Sequence, residues 1–257
     1  MRTVLVVAAH PDDEILGVGG TVARHAAEGD QVYAVILGEG QTSRGEHRED
    51  TSLDIIEALH KNTLESARKI GYRDVFFAYF PDNRFDSIDL LDIVKTVEQM
   101  IHKLNPQIIY THYSGDLNVD HQCTARAVLT ATRPMADCCV EEILAFETLS
   151  SSEWNFDYSA QPAFCPNVFV DITDYYQKKE QAMSCYVSEL STFPHPRSLT
   201  GMDVLSRTRG MAAGMERAEA GTAARLCEAG RRDGVRDGRH AWSGTGVLRR
   251  APPPGRG

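Results

Sequence analysis

The 257-residue sequence predicts an α/β fold, a three-layer Rossmann-like domain with a mostly parallel sheet, followed by a disordered C-terminal tail. Two observations predict the domain. Short apolar runs with no polar alternation recur, as strands buried on both faces do, and amphipathic stretches at helical spacing separate them. A third, an abrupt change of composition at residue 221, predicts the tail.

The elements follow in order. TVLVVAA (3–9) and QVYAVILG (31–38) read as strands joined by a helix over 14–28, a βαβ unit. A long helix is expected over 50–70, then a strand DVFFAYF (74–80). A helix over 87–104 is marked by Leu90, Leu91, Ile93, Val94, Val97 and Ile101, and a strand QIIYTH follows at 107–112. Another helix starts near Asp120, EEILAFET (141–148) and NVFVDI (167–172) read as strands, and DYYQKKEQAMSCY (174–186) reads as a helix. Ligands of open parallel sheets bind beyond the carboxyl ends of the strands, so the loops after Ala9, Leu37, Phe80 and His112 should line one crevice.

Hydrophobic and charged contents of 42% and 25% exclude a disordered chain, a collagen-like repeat and a disulfide miniprotein. No apolar run approaches a membrane span and the start lacks a secretory cleavage pattern, so a cytoplasmic protein without membrane contact is expected. The six cysteines form no CxxC pair and read as packing or incidental thiols. The net charge of −9 argues against nucleic acid as a partner of the folded domain. Residues 221–257 hold eight Gly and eight Arg against three acids, a balance of +5 that leaves −14 on residues 1–220. So the domain is set at 1–220 and the tail at 221–257, with too little apolar surface to offset the entropy of ordering it. Such a tail reads as a basic binding segment or as a degenerate C-terminus.

Two motifs fall where a strand gives way to a helix. The first, Ala9-His10-Pro11-Asp12-Asp13-Glu14, is read two ways: acids and Pro suit a helix N-terminus, but capping leaves His10 and the crowding of three acids unexplained. The second, Asp116 to His121, follows QIIYTH on the same rim. His10, Asp13 and His121 suit a catalytic zinc, which takes three protein ligands and keeps an open position for water. Asp12, beside a ligand but free, would take that water's proton. The Gly17–Gly20 cluster lacks the dinucleotide fingerprint, which excludes a nicotinamide cofactor. Adjacent Asp12 and Asp13 cannot flank a glycosidic bond from both sides, which excludes two-carboxylate glycoside hydrolysis.

On these residues the chain resembles the LmbE/PIG-L family of zinc-dependent N-deacetylases. The resemblance runs through A-H-P-D-D-E (9–14), G-V-G-G (17–20), Gly38-Glu39-Gly40, Phe80-Pro-Asp-Asn-Arg-Phe85, the D-x-N-x-D-H stretch and Pro194-His-Pro-Arg-Ser198. It implies zinc on His10, Asp13 and His121, one ion per chain, with Asp12 as general base; iron(II) or another divalent transition metal suits the same ligands. Many members place a catalytic His three residues before the last ligand, where this chain has Asn118. Asn118 can donate to an oxyanion but cannot shuttle a proton, so His195 and Asp116 are the substitutes considered. His195 also reads as a surface turn residue. Arg44, Arg84 and Arg197 are candidate substrate contacts together with Asp116, and Arg84 reads equally as a structural partner of Asp82 or Asp86.

The resulting expectation is hydrolysis of an acetamide on a small sugar-like substrate of the N-acetylglucosamine kind, the sugar preference resting on the resemblance alone. The alternatives are an amidase on a thiol or antibiotic conjugate and a catalytically weakened carbohydrate-binding scaffold. A homo-oligomer is one expected assembly. Truncation after Ala220 is expected to leave melting temperature and activity unchanged.

Overall fold

A computed structural model describes residues 1–48, 51–135, 138–157, 159 and 162–227, and the backbone of 249–250. Five parallel strands form its centre: β1 (Thr3–Ala8), β2 (Gln31–Gly38), β3 (Asp74–Phe80), β4 (Ile108–His112) and β5 (Glu142–Phe146). The sheet order is β6-β7-β5-β4-β1-β2-β3-β8, where β6 is Val168–Asp171, β7 is Ala218–Leu226 and β8 is Arg249–Arg250. β7 lies antiparallel between β5 and β6, and β8 is antiparallel to β3.

Successive β1 residues feed opposite layers, as strand geometry requires. Val4, Val6 and Ala8 join the core under α2 (Gly19–Ala27), α3 (Leu53–Ile70), α6 (Tyr176–Met183) and α7 (Leu199–Ala213). Leu5, Val7 and Ala9 join the core under α4 (Leu90–Leu104) and α5 (Val119–Ala131). The continuous apolar runs thus reflect cover on both faces.

The strands over residues 3–172 and the helices α3 to α6 stand where the periodicity places them. The helix expected over 14–28 is split into α1 (Asp13–Leu16) and α2. Its glycines permit close packing: a Cβ on Gly17 would sit 2.2 Å from the Phe146 ring, and one on Gly20 2.8 Å from Ile172.

Neither α7 nor β7 is expected from the sequence, and β7 corrects the boundary at 221. The strand runs through Gly221 to Leu226, with β5 on one side and β6 on the other. A strand hydrogen-bonded on both edges satisfies its backbone whatever its composition, and so outweighs the scarcity of large apolar side chains. From residue 228 the expected tail lies outside the described residues, apart from the backbone of β8. Among the described residues no two cysteines are joined in a disulfide. Among the described residues no helix is long and apolar enough to cross a membrane.

Candidate metal centre and active site

The chain runs outward from β1 to β2 and β3 on one side and from β4 to β5 on the other. The turn after β1 and the turn after β4 therefore face each other at the point where strand order reverses. The first supplies His10, Asp12 and Asp13, and the second supplies Asp116, Asn118, Asp120 and His121.

Three atoms converge there. His10 Nδ1, His121 Nε2 and Asp13 Oδ2 lie 3.3 Å from one another along all three edges. A tetrahedral ion with bonds of about 2.0–2.1 Å holds its ligand atoms about 3.3–3.4 Å apart. The other ring nitrogens are occupied from outside. His10 Nε2 donates to Asp120 Oδ2 at 2.9 Å and lies 3.2 Å from Asp82 Oδ1. His121 Nδ1 lies 3.1 Å from Asp116 Oδ1, within ion-pair distance but off hydrogen-bond alignment. These tautomers point two imidazole lone pairs and a carboxylate oxygen at one spot, an arrangement that a cation relieves.

The electrostatics agree. Burial works against charge on His10, but hydrogen bonds to Asp120 and Asp13 outweigh it and hold its pKa well above the ordinary value. Burial likewise opposes charge on His121, yet Asp13 and Asp116 push it up to about 9. For Asp13, burial is overcome by His121, His112 and His10, which hold its carboxyl well below the usual range. The pocket is built for positive charge, and its donor set fits a divalent ion. The same His10 ring also groups with Asp82 and Asp120, and His25, Glu28 and Asp30 form a further acidic group. His25 uses both ring nitrogens within the protein, on Asp30 and Tyr110, which makes that group structural.

The outer partners are mostly residues that motif reading overlooks. Asp120 also accepts the Phe85 and Asn83 amides, so it ties His10 to the loop after β3. His112, the last residue of β4, stacks on His121 at 3.9 Å. Its Nε2 accepts the Ala9 amide, which leaves Nδ1 to donate to Thr148, and burial and His121 hold the ring neutral, well below its usual pKa. Its lone pair is spent on β1, so it supports the centre without joining it. Asp120 beside His121, and a His closing a strand that ends at the crevice, were signals available in the sequence.

Asp116, expected among the substrate contacts, does not line the cleft. It is fully buried behind His121 and accepts the hydroxyls of Ser151 and Ser152 and the Asn118 amide. Asn118 caps α5: its side-chain oxygen accepts from the amides of Asp120 and His121, and its Nδ2 donates to Asn83. Asp12 is buried, and its Oδ2 accepts from Arg197 at 3.0 Å. Burial raises its carboxyl well above the usual range, Arg197 opposes, and Asp13 adds to the rise. Capping does not explain Asp12, whose side chain makes no hydrogen bond to the helix.

Arg197, expected as a substrate contact, lines the cleft and also bridges to the acid pair. His195 is one step removed, its Nδ1 accepting the Arg197 amide and its ring lying edge-on to Trp154. Arg44 lines the cleft but is paired with Glu189 at 2.5 Å. Arg84 is exposed and lies outside the lining, and among the described residues it pairs with neither Asp82 nor Asp86. The cleft spans ≈ 450 Å³ including its mouth open to solvent and is walled mainly by polar groups, among them Asp12, Gln41, Ser43, Asp82, Asn83 and Glu189. Glu189, which also holds Gln41, carries no sequence signal.

Comparison with known proteins bears on this site. The family model PIG-L, GlcNAc-PI de-N-acetylase, matches residues 5–132. The uncharacterized deacetylase YaiS of Escherichia coli K12 is 26% identical over 180 residues, 68% of this chain and 84% of its own. A probable N-acetyl-alpha-D-glucosaminyl L-malate deacetylase 2 of Bacillus anthracis is 23% identical over 194 residues, 74% and 83% of the two chains. The crystal structure of GalB, a 4-carboxy-2-hydroxymuconate hydratase of Pseudomonas putida KT2440, superposes with a TM-score of 0.69 at 20% identity, over 89% of this chain and 99% of that one. Residues 5–132, which contain both motifs, form a domain of the PIG-L, GlcNAc-PI de-N-acetylase, family.

Proposed function

We propose that the protein is a metal-dependent N-deacetylase that removes acetate from an N-acetylated sugar conjugate, with zinc on His10, Asp13 and His121. The observation that carries this reading is the equilateral triangle of donor atoms, whose His10 lines a polar cleft while Asp13 and His121 lie buried behind it. An ion held there supplies Lewis acidity toward a carbonyl oxygen and lowers the pKa of a water beside it. The relatives named as deacetylases of N-acetylglucosaminyl conjugates support the amide and the sugar. Six cysteines without a disulfide among the described residues suit a reducing compartment, so we place the enzyme in the cytoplasm.

The protein's own groups handle the protons. Asp12, with its affinity for a proton raised by burial, takes one from the attacking water and returns it to the departing nitrogen. Arg197 aims that carboxylate and limits how far its proton affinity climbs. Asn118 keeps one Nδ2 hydrogen beyond its bond to Asn83 and offers it to the developing oxyanion. His195 acts by fixing the Arg197 loop, not by touching the reacting atoms.

The test is amine release from N-acetylglucosamine conjugates, other N-acyl compounds and an unsaturated hydroxy acid, with metal-stripped and zinc-restored protein. Zinc-dependent release from the sugars supports the reading. Release only from other amides moves the substrate class. Water addition to the unsaturated acid without amine release assigns the hydratase chemistry named for the Pseudomonas structure and defeats the reading. Silence from folded, metal-loaded protein leaves a binding scaffold.

A further inference from the structure

Asp12 holds a backbone conformation that L-residues avoid, with φ 108° and ψ −30°. A helix N-cap residue ordinarily has an extended backbone. Conformations of this kind are strained and persist only where the surroundings enforce them. The enforcing contact is Glu14. Its Oε2 accepts the Asp12 amide at 2.9 Å, and its Oε1 accepts the Tyr186 hydroxyl at 2.5 Å. Glu14 and Tyr186 are both essentially inaccessible to solvent, and the Tyr72 hydroxyl donates to the Glu14 carbonyl. Among the described residues no cation pairs with Glu14. A carboxylate buried without a counter-ion is expensive, and an apolar residue of similar volume would pack there more cheaply.

We propose that Glu14 is a positioning residue, held by Tyr186, that locks the Asp12 backbone in its left-handed conformation and so aims the carboxylate into the cleft. This rests on Asp12 being the general base. The lock requires an acceptor for the Asp12 amide and does not require a charge. Glutamine supplies that acceptor, and its amide nitrogen can donate to Tyr186. Methionine matches the volume and supplies neither.

The test compares Glu14→Gln and Glu14→Met by crystallography and by steady-state kinetics with bound metal measured. Glu14→Gln should keep Asp12 φ near 108° and retain most of kcat. In Glu14→Met the Asp12 φ should become negative, and kcat should fall on the order of 10- to 10²-fold with KM and metal content unchanged. An unchanged φ in Glu14→Met, or an equal loss of kcat in both variants, overturns the proposal. If Glu14→Met does not fold, Tyr186→Phe decides: kcat falling about three- to tenfold at unchanged metal content supports the lock, and unchanged kcat rejects it. Absence of turnover by the unsubstituted protein defeats the catalytic reading and leaves the crystallographic comparison to judge the lock.

Discussion

Asp13 is the residue at which the site's forces meet, because one carboxylate oxygen faces both imidazoles of the triangle. Its neighbour Asp12 contributes no atom to that triangle, so the two acids separate in their effects. Asp12→Ala should keep one metal per chain and lose about 10²- to 10⁴-fold in kcat; loss of metal, or near-normal turnover, contradicts its role as base. Asp116→Asn removes the charge behind His121 and should weaken metal affinity about 10- to 100-fold, read by competition with a chelating dye. Glu14 links the site to stability. Burial raises its pKa to about 7 from 4.5, with Tyr186 opposing, so the metal-free fold takes up a proton there that the unfolded chain has released. Stability from this group falls as pH rises from about 4.5 to 7 and then levels. The melting temperature of metal-free Glu14→Gln should therefore gain on the parent protein between pH 5 and 8, and a difference flat with pH contradicts that shift. His10, Asp12, Asp13 and His121 were legible because their motifs stand where strands end. The direction of Asp116 and the partner of Arg197 were not, because spacing along a loop does not say which way a side chain turns.

Among the elements, β7 changes the most. The composition break at 221 coincides with no structural boundary, because Gly221 to Leu226 complete a strand between β5 and β6. Truncation after Ala220, first expected to be neutral, should instead lower the melting temperature by more than about 4 °C relative to truncation after Cys227, since each lost kcal/mol moves a domain of this size by about 2–4 °C. Equal melting temperatures would show that this half of β7 contributes nothing. β1 to β5 were readable because cover on both faces leaves continuous apolar runs, and α3 and α4 because each turns one apolar face to the sheet. α7 and β7 were not: α7 exposes Val204 and Met211 and blurs its apolar stripe, and β7 depends on neighbours more than on its own side chains.

At the scale of the whole molecule, a doubly wound sheet brings two motifs more than a hundred residues apart to one switch point. The fold itself does not choose the reaction, since a hydratase shares it at a TM-score of 0.69. The choice rests on the metal triangle acting with Asp12 at the polar cleft. The most direct test is stepwise addition of zinc to metal-stripped protein, with amine release from an N-acetylglucosamine conjugate read at each step, alongside His121→Ala. The account predicts a linear rise that saturates at one equivalent, and no response from the variant. Amine release that is independent of zinc, or that His121→Ala leaves intact, contradicts it.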